Sequence, residues 1–335
     1  MIEELKLKAP QHRDRIIKTV FVGGGTPSRM PCGELTRIIE AVKNNYNFAV
    51  EEFSVEVNPV SFDIHHIKEY QSLGVNRISV GVQSLDDKIL QSIGRAHNSK
   101  DAMTALGLAT MYFDNVNADV MLGLPEQSVL SLVDTLNGLF AKRVQHISCY
   151  GLILEENTPL YRMVKSGEVK LPDEDWAVNM YNIAKDILEA NGYNRYEISN
   201  FARVGYQCIH NKIYWYRDDY IGVGVAAHSL VGDIRSSNIS STSEYIETLS
   251  TGKLAVAEEL VLSVEDKKTE AIMLALRCSE GLNIESFNRE FNTDFLEEYS
   301  AKLSKVRQYI SVDNNCLTIK PKHIYVSNSI ISDLI

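Results

Sequence analysis

The sequence predicts an α/β fold built around a parallel sheet, with a smaller helical domain behind it. Two observations carry this. From residue 16 onward, short β-branched runs alternate with amphipathic stretches. The tail beyond about residue 260 drops that alternation and reads as helices followed by a hairpin.

The strand candidates are residues 16–22, 53–57, 77–82, 116–122 and 146–154. They are rich in Val and Ile and bounded by Gly, Asn or Pro, as strands buried on both faces should be. Between them, residues 63–73 place Ile64, Ile67, Tyr70 and Leu73 at helical spacing before Gly74, a C-terminal stop. A helix over 100–112 follows Ser99 as its cap. Residues 128–140 carry Val129, Leu132, Val133, Leu136 and Leu139, and a helix over 173–190 ends before Gly192. Tyr196-Glu197-Ile198 reads as one more strand. An open doubly wound sheet and a (βα) barrel both fit this order.

Helices are predicted over 264–276, 284–291 and 296–309. A hairpin follows, with Tyr309-Ile310-Ser311-Val312, the turn Asp313-Asn314-Asn315, and Cys316-Leu317-Thr318-Ile319. This outline resembles a winged helix. The Ser-rich stretch 236–253 is the expected linker, dividing a first domain over 1–235 from a second over 254–335.

Composition narrows the function classes. Of 335 residues, 44% are hydrophobic and 23% charged, ordinary for a protein with a substantial core. Lys and Arg number 34 against 44 Asp and Glu, a net charge of −10 that argues against a nucleic-acid or anionic-membrane surface. No apolar run reaches the roughly 18 residues of an integral membrane segment, and no secretory signal opens the chain. A cytoplasmic protein is expected. The five cysteines (Cys32, Cys149, Cys208, Cys278, Cys316) are scattered and suit a reducing compartment rather than a disulfide framework.

The chemistry-bearing residues gather where strands end. The first strand runs into Gly23-Gly24-Gly25-Thr26-Pro27-Ser28, the second into Glu56-Val57-Asn58-Pro59, the third into Gly81-Val82-Gln83-Ser84. The next carries Asp119 ahead of Gly123-Leu124-Pro125. In a parallel barrel these ends share one face, where loops build a site. Three consecutive glycines expose backbone groups to a small ligand, and Thr26 adds a hydroxyl. No Gly-Lys-Ser/Thr follows, so this is not a phosphate loop. Glu56 inside an apolar strand needs a ligand or an internal ion-pair partner, Arg77 being the candidate. Gln83 and Asp119 leave the same two readings open, and Arg95 reads either as a ligand contact or as a solvated helix-end cation.

Taken together, Phe21-Val22-Gly23-Gly24-Gly25-Thr26-Pro27-Ser28 resembles the glycine motif of radical S-adenosylmethionine (SAM) proteins. Glu56-Val57-Asn58-Pro59, the run Asn76 to Ser84, Gly94-Arg95-Ala96-His97 and Asp119 to Pro125 resemble the successive HemN/HemW signatures. The resemblance spans about residues 16–230, with the tail similar to the family's C-terminal domain. It implies a partial (βα) barrel of radical SAM type lacking its first strand, with a smaller, winged-helix-like C-terminal domain. It also implies that Gly24, Gly25, Thr26, Glu56, Gln83, Arg95 and Asp119 contact SAM.

His210-Asn211-Lys212-Ile213-Tyr214-Trp215 and the run Gly222 to His228 resemble the HemW branch, whose members are regarded as haem chaperones. On that resemblance the partners are haem and a haem-accepting protein, and a dimer is left open. His210 is the candidate iron ligand and Tyr214 or Trp215 a packing surface for the porphyrin, with Cys208 a weaker candidate ligand. The other reading makes His210 and Asn211 turn caps and the two aromatics core. Gly222-x-Gly224 has no third glycine and no βαβ context, so it is not a dinucleotide fingerprint.

Two further functions stay open: an oxygen-independent coproporphyrinogen III oxidase-like enzyme, and a clusterless haem- or SAM-binding module. Family members carry C-x-x-x-C-x-x-C for a [4Fe–4S] cluster, and the five cysteines here supply no such spacing. The expectation is that a preceding βα unit bears those thiolates in a longer protein and that the cluster binds only when it is restored.

Overall fold

The computed structural model describes residues 1–156 and 158–335. Seven strands form the main sheet: β1 (Ile16–Val22), β2 (Asn47–Val57), β3 (Arg77–Gln83), β4 (Asn115–Leu122), β5 (His146–Gly151), β6 (Asn194–Arg195) and β7 (Asn200–Ala202). Their order is β1-β2-β3-β4-β5-β7-β6. Pairing from β2 through β5 is parallel, and β7 and β6 add an antiparallel edge. The order never reverses over β1 to β5, so there is no switch point of the doubly wound kind. Of the two sheets the alternation allowed, this is the partial barrel, with β1 its terminal strand.

The chain divides into two compact units. Phe21–Cys32 and Glu52–Gln207 form one; Met1–Val20, Gly33–Glu51 and Cys208–Ile335 form the other. In the first, the aliphatic face of the sheet is closed: Val55, Ile78, Val80, Val116, Ala118, Val120 and Ile147 have no exposed surface. Its helices begin at side-chain caps, where Asp63, Ser128 and Asp173 accept from backbone N–H groups one turn in. Asn98, rather than Ser99, caps Ser99–Tyr112, because Asn98 and Asp101 exchange hydrogen bonds with each other's backbone.

Two strand boundaries differ from expectation. β5 stops at Gly151, and Tyr196-Glu197-Ile198 is the bend between β6 and β7 rather than a strand. The chain must reverse there to pair antiparallel, and the Glu197 carboxylate closes the turn by accepting from the Ser199 N–H at 3.2 Å.

In the second unit the N-terminal helix Ile2–Lys8 packs Leu5 and Ala9 on Ala41 and Tyr46, with Ile17, Ile221 and Val223 around them. Strands β8 (His228–Val231), β9 (Ile234–Asn238) and β10 (Val256–Val261) make a three-stranded antiparallel sheet. The stretch 236–253 is therefore not a linker. It holds the end of β9 and the helix Thr242–Ser250, whose Tyr245 and Leu249 pack on Ala255 and Leu7. Ser241 there serves as a cap, accepting from the Glu244 N–H, so the serine content marks a helix start and not slack chain.

The tail forms the expected hairpin. β11 (Leu282–Asn283), β12 (Ile310–Asp313) and β13 (Cys316–Ile319) pair in the order β11-β13-β12. Asn314 and Asn315 take φ of 50° and 61°, the left-handed pair that a two-residue hairpin turn requires. The helix expected over 296–309 is instead two, Phe295–Glu298 and Ser300–Val306. Among the described residues no helix is long and apolar enough to cross a membrane.

The second unit is fastened around a fully buried carboxylate. Glu4 accepts from Lys8 Nζ (2.8 Å), Asn238 Nδ2 (2.6 Å), the Gly224 N–H (2.9 Å) and the Tyr245 hydroxyl. Burial alone would raise its pKa. The hydrogen bonds from Lys8 and Tyr245 and the Lys8 charge outweigh burial and hold it below the usual carboxylate range. Such a group stabilises the fold at neutral pH and loses that contribution as pH falls through its lowered pKa. Glu4→Ala strands Lys8 without its carboxylate, and denaturant unfolding should show a loss of about 3–5 kcal/mol at neutral pH that shrinks in acid. A midpoint unchanged from the parent would contradict this account.

Candidate functional site

The register of the parallel strands decides where the polar residues go. Glu56 pairs with Ser79, Ser79 with Asn117, Asn117 with His146, and Asp119 with Ser148. Side chains alternate faces along a strand, so paired positions share one. Glu56, Arg77, Ser79, Gly81, Asn117, Asp119, His146, Ser148 and Tyr150 therefore all lie on the face opposite the aliphatic core, while Gln83, beyond an irregularity in the β3–β4 register, pairs with Val120 yet lines the same cavity.

A cavity of about 230 Å³ opens at the C-terminal ends of these strands. Gly25, Thr26, Glu56, Gln83, Arg95 and Asp119 line it, six of the seven residues singled out for SAM. The seventh, Gly24, touches the same site through its N–H, which donates to the Glu56 carboxylate at 3.3 Å. The cavity lies within the first compact unit.

Local structure explains each placement. A Cβ on Gly23 would come within 2.8 Å of the Glu56 carboxylate and 2.7 Å of the Phe21 ring, so only glycine lets the loop cross Glu56. Gly24 and Gly25 take φ of 77° and 150°, and a Cβ on either would meet nothing within 4 Å. The turn thus leaves an open backbone cradle. Across the cavity, Arg95 lies beside Gly81, where a Cβ would approach its Nη2 to 3.3 Å. Its Nε is buried without a hydrogen-bond partner.

Gln83 ends β3 with φ of 68°, left-handed backbone that costs a non-glycine residue about 1–3 kcal/mol. Tyr150 holds its amide by donating to Oε1 at 3.1 Å, which turns Nε2 toward Gly81 and the cavity. Tyr150 was missed in the sequence. Only its place at the end of a strand run could have pointed to it. Burial, with the nearby Asp119 charge, pushes its phenol up to about 12, so it stays a donor.

The two carboxylates are poised against ionisation. Burial raises the Glu56 pKa, as does the Asp119 charge, with Gly24 N–H and Arg77 opposing. Burial raises Asp119 as well, against hydrogen bonds from Asn117, Ser148 and Ser79 and the charge of Arg77. A larger hollow of about 470 Å³ on the tail has Arg307 as its one charged lining residue among serines and aliphatics, and brings no such set together.

The candidate haem residues belong to the second unit. His210 and Tyr214 stand one turn apart on the helix Ile209–Trp215. His210 Nδ1 is 2.7 Å from Thr19 Oγ1, and its Nε2 is 2.8 Å from the Tyr214 hydroxyl. The Tyr214 ring meets Tyr220 edge-on at 4.7 Å, while Trp215 is half-buried. Both ring nitrogens of His210 are thus engaged, by hydroxyls rather than as a helix cap, and Tyr214 is exposed rather than core. Cys208 is buried at the start of the same helix.

The remaining cysteines do not assemble a ligand set. Cys32 is exposed, Cys149 and Cys278 are buried, and Cys316 is half-buried. Among the described residues no three His, Cys, Asp or Glu side chains converge as a metal site.

Comparison with known proteins agrees with this architecture. The Radical SAM superfamily matches residues 2–138, and the HemN C-terminal domain matches residues 262–329. The chain is 32% identical to the haem chaperone HemW of Bacillus subtilis over 278 residues, 82% of this chain and 73% of that one. It is 33% identical to the HemW of Lactococcus lactis over 292 residues, 87% and 76% respectively. The structure of Escherichia coli coproporphyrinogen III oxidase (HemN), a radical SAM enzyme, superposes with a TM-score of 0.86 at 20% identity, covering 99% of this chain and 81% of that one. That likeness shows the fold, and with the HemW identities it establishes that the chain belongs to the HemN/HemW family of radical SAM proteins.

Proposed function

We propose that this chain is a haem chaperone of the HemW kind that binds SAM in the cavity at the strand ends and carries haem to an acceptor protein. The observation that carries the SAM half is the convergence of Gly24, Gly25, Thr26, Glu56, Gln83, Arg95 and Asp119 at one cavity. Two carboxylates raised by burial suit a ligand bearing an ammonium group and ribose hydroxyls, which return the solvation they lost. Open glycine backbone suits a carboxylate or amine approaching closely, and the Arg95 guanidinium and Gln83 Nε2 add donors to the lining. When bound, SAM supplies a sulfonium centre and an adenosyl group.

At about 230 Å³ the cavity is smaller than the roughly 300 Å³ of pockets that enclose a whole drug-sized ligand. A ligand the size of SAM would therefore extend along the Gly24-Gly25 turn. Haem is the cargo in this reading, and the HemW relatives are what support it. His210 would ligate its iron by giving up Thr19 or Tyr214, and the exposed ring of Tyr214 would then be free to pack on the porphyrin.

The SAM half predicts a pH dependence with a definite sign. Glu56 and Asp119 are ionised less readily than usual, and a cationic ligand binds their ionised forms. Calorimetric titration with SAM should show affinity climbing as pH rises from the usual carboxylate range toward neutrality, with Glu56→Gln weaker by about tenfold and less pH-dependent. A flat profile with unchanged affinity in the variant would sink this half. For the haem half, His210→Ala should weaken haem binding by about tenfold in a Soret titration while far-UV circular dichroism stays that of the parent. An unaltered titration would remove His210 from the haem half of this reading.

A further inference from the structure

Behind the cavity, the polar face of the sheet carries a chain of buried side chains that reaches the site at Asp119 and Ser79. The Tyr196 hydroxyl is 2.8 Å from His146 Nε2, and His146 Nδ1 is 2.6 Å from Asn117 Oδ1. Asn117 Nδ2 donates to the Asp119 carboxylate and to Ser79 Oγ, each at 2.7 Å. Ser148 Oγ also donates to Asn117 Oδ1, at 3.1 Å. His146 has no exposed surface and Asn117 is 2% exposed.

The direction of each bond follows from what each atom can do. An ionised Asp119 only accepts, so Asn117 presents its NH₂ to it and its Oδ1 backward. That oxygen only accepts, so His146 carries its proton on Nδ1. Burial drives the His146 pKa well below its usual range, and the Arg77 charge adds to this, so the ring is neutral and Nε2 is an acceptor. The Tyr196 O–H must then donate to Nε2. Every donor in the chain points toward Asp119.

We propose that Tyr196, His146 and Asn117 are positioning residues, a one-way hydrogen-bond relay that locks the Asn117 amide with its N–H toward Asp119 and so holds that carboxylate oriented toward the ligand. This rests on the SAM reading of the cavity and assigns roles beyond its lining. His146 acts through Asn117 and not on the ligand, because both of its ring nitrogens are engaged. Without its Nδ1–H, the Asn117 amide can turn over and set Oδ1 against the carboxylate, a repulsive contact in a desolvated site. Arg77, which acts on Asp119, Glu56 and His146 alike, and Glu56, which is repelled by Asp119, are the charged groups common to relay and cavity.

Calorimetric titration of the full chain with SAM tests the relay. Asp119→Asn is expected to weaken binding by about tenfold or more. His146→Phe should weaken it by about three- to tenfold, the Ser148 hydroxyl still holding part of the amide's orientation. His146→Asn, which returns an N–H near the place of Nδ1, should recover most of that loss, a rescue that packing alone would not produce. In the Asp119→Asn background, Phe and Asn at position 146 should bind alike. Parent-like affinity in His146→Phe, or equal losses in both position-146 variants, overturns the relay. Parent-like affinity in Asp119→Asn, or no SAM binding by the parent chain, overturns the SAM reading and the relay with it. Should His146→Phe fail to fold, Tyr196→Phe removes only the terminal O–H; about a twofold weakening is expected, and parent-like affinity overturns the proposal.

Discussion

The parallel register of β2 through β5 is the constraint on which the rest of this structure depends. Pairing Glu56 with Ser79, Ser79 with Asn117 and Asp119 with Ser148 sends these polar side chains to one face and Val55, Ile78, Val80, Val116, Val120 and Ile147 to the other. A slip of one residue in any strand would exchange its two sets, burying carboxylates among Val55, Val80 and Val120. The aliphatic face thereby enforces the arrangement of the chemical one, and the cavity needs no long loop to bring its residues together.

The site draws its binding capacity from costs imposed by that scaffold. Glu56 and Asp119 are buried closely enough to resist ionisation, Arg95 keeps an unpartnered donor, and Gln83 is held in left-handed backbone. Each is unfavourable in isolation and is held in place by the surrounding scaffold. The surrounding hydrogen bonds, from Tyr150 to Gln83 and from Asn117 to Asp119, aim these groups without satisfying them fully. Glu4 in the second unit is the counter-example: a buried carboxylate with four donors, pKa lowered, and no capacity left for a ligand.

His210 stands between these two cases. Both of its ring nitrogens are engaged, by Thr19 and Tyr214, yet both partners are hydroxyls that can rotate away. An iron ligand held this way exchanges one neutral hydrogen bond, worth about 1 kcal/mol, for a metal bond. Its tautomer is also set by which hydroxyl stays.

Much of this was legible in the chain, because it rests on local pattern. β1 matches its predicted span, and the helices expected to open at residues 63, 128 and 173 do so, with Asp63, Ser128 and Asp173 as their caps. The paired asparagines 314 and 315 dictated the hairpin turn. The triple glycine and the polar strand ends marked the cavity, since strand C-termini in a parallel sheet share a face whatever the details.

What the chain could not declare depended on partners distant in sequence. The serines of 236–253 read as slack until Tyr245 and Leu249 were seen packed on Ala255 and Leu7. Tyr196 to Ile198 read as a strand until β7 required a reversal there. Nothing local to Tyr150, His146, Asn117 or Glu4 in the sequence declares the partners they meet. Sequence determined the elements, the order of the strands' polar ends and the family signatures, because propensity, capping and turn chemistry act over a few residues. Only tertiary structure decided which polar groups became buried neighbours, because hydrogen bonds and pKa shifts depend on distances of a few ångströms between residues that lie tens to hundreds of positions apart.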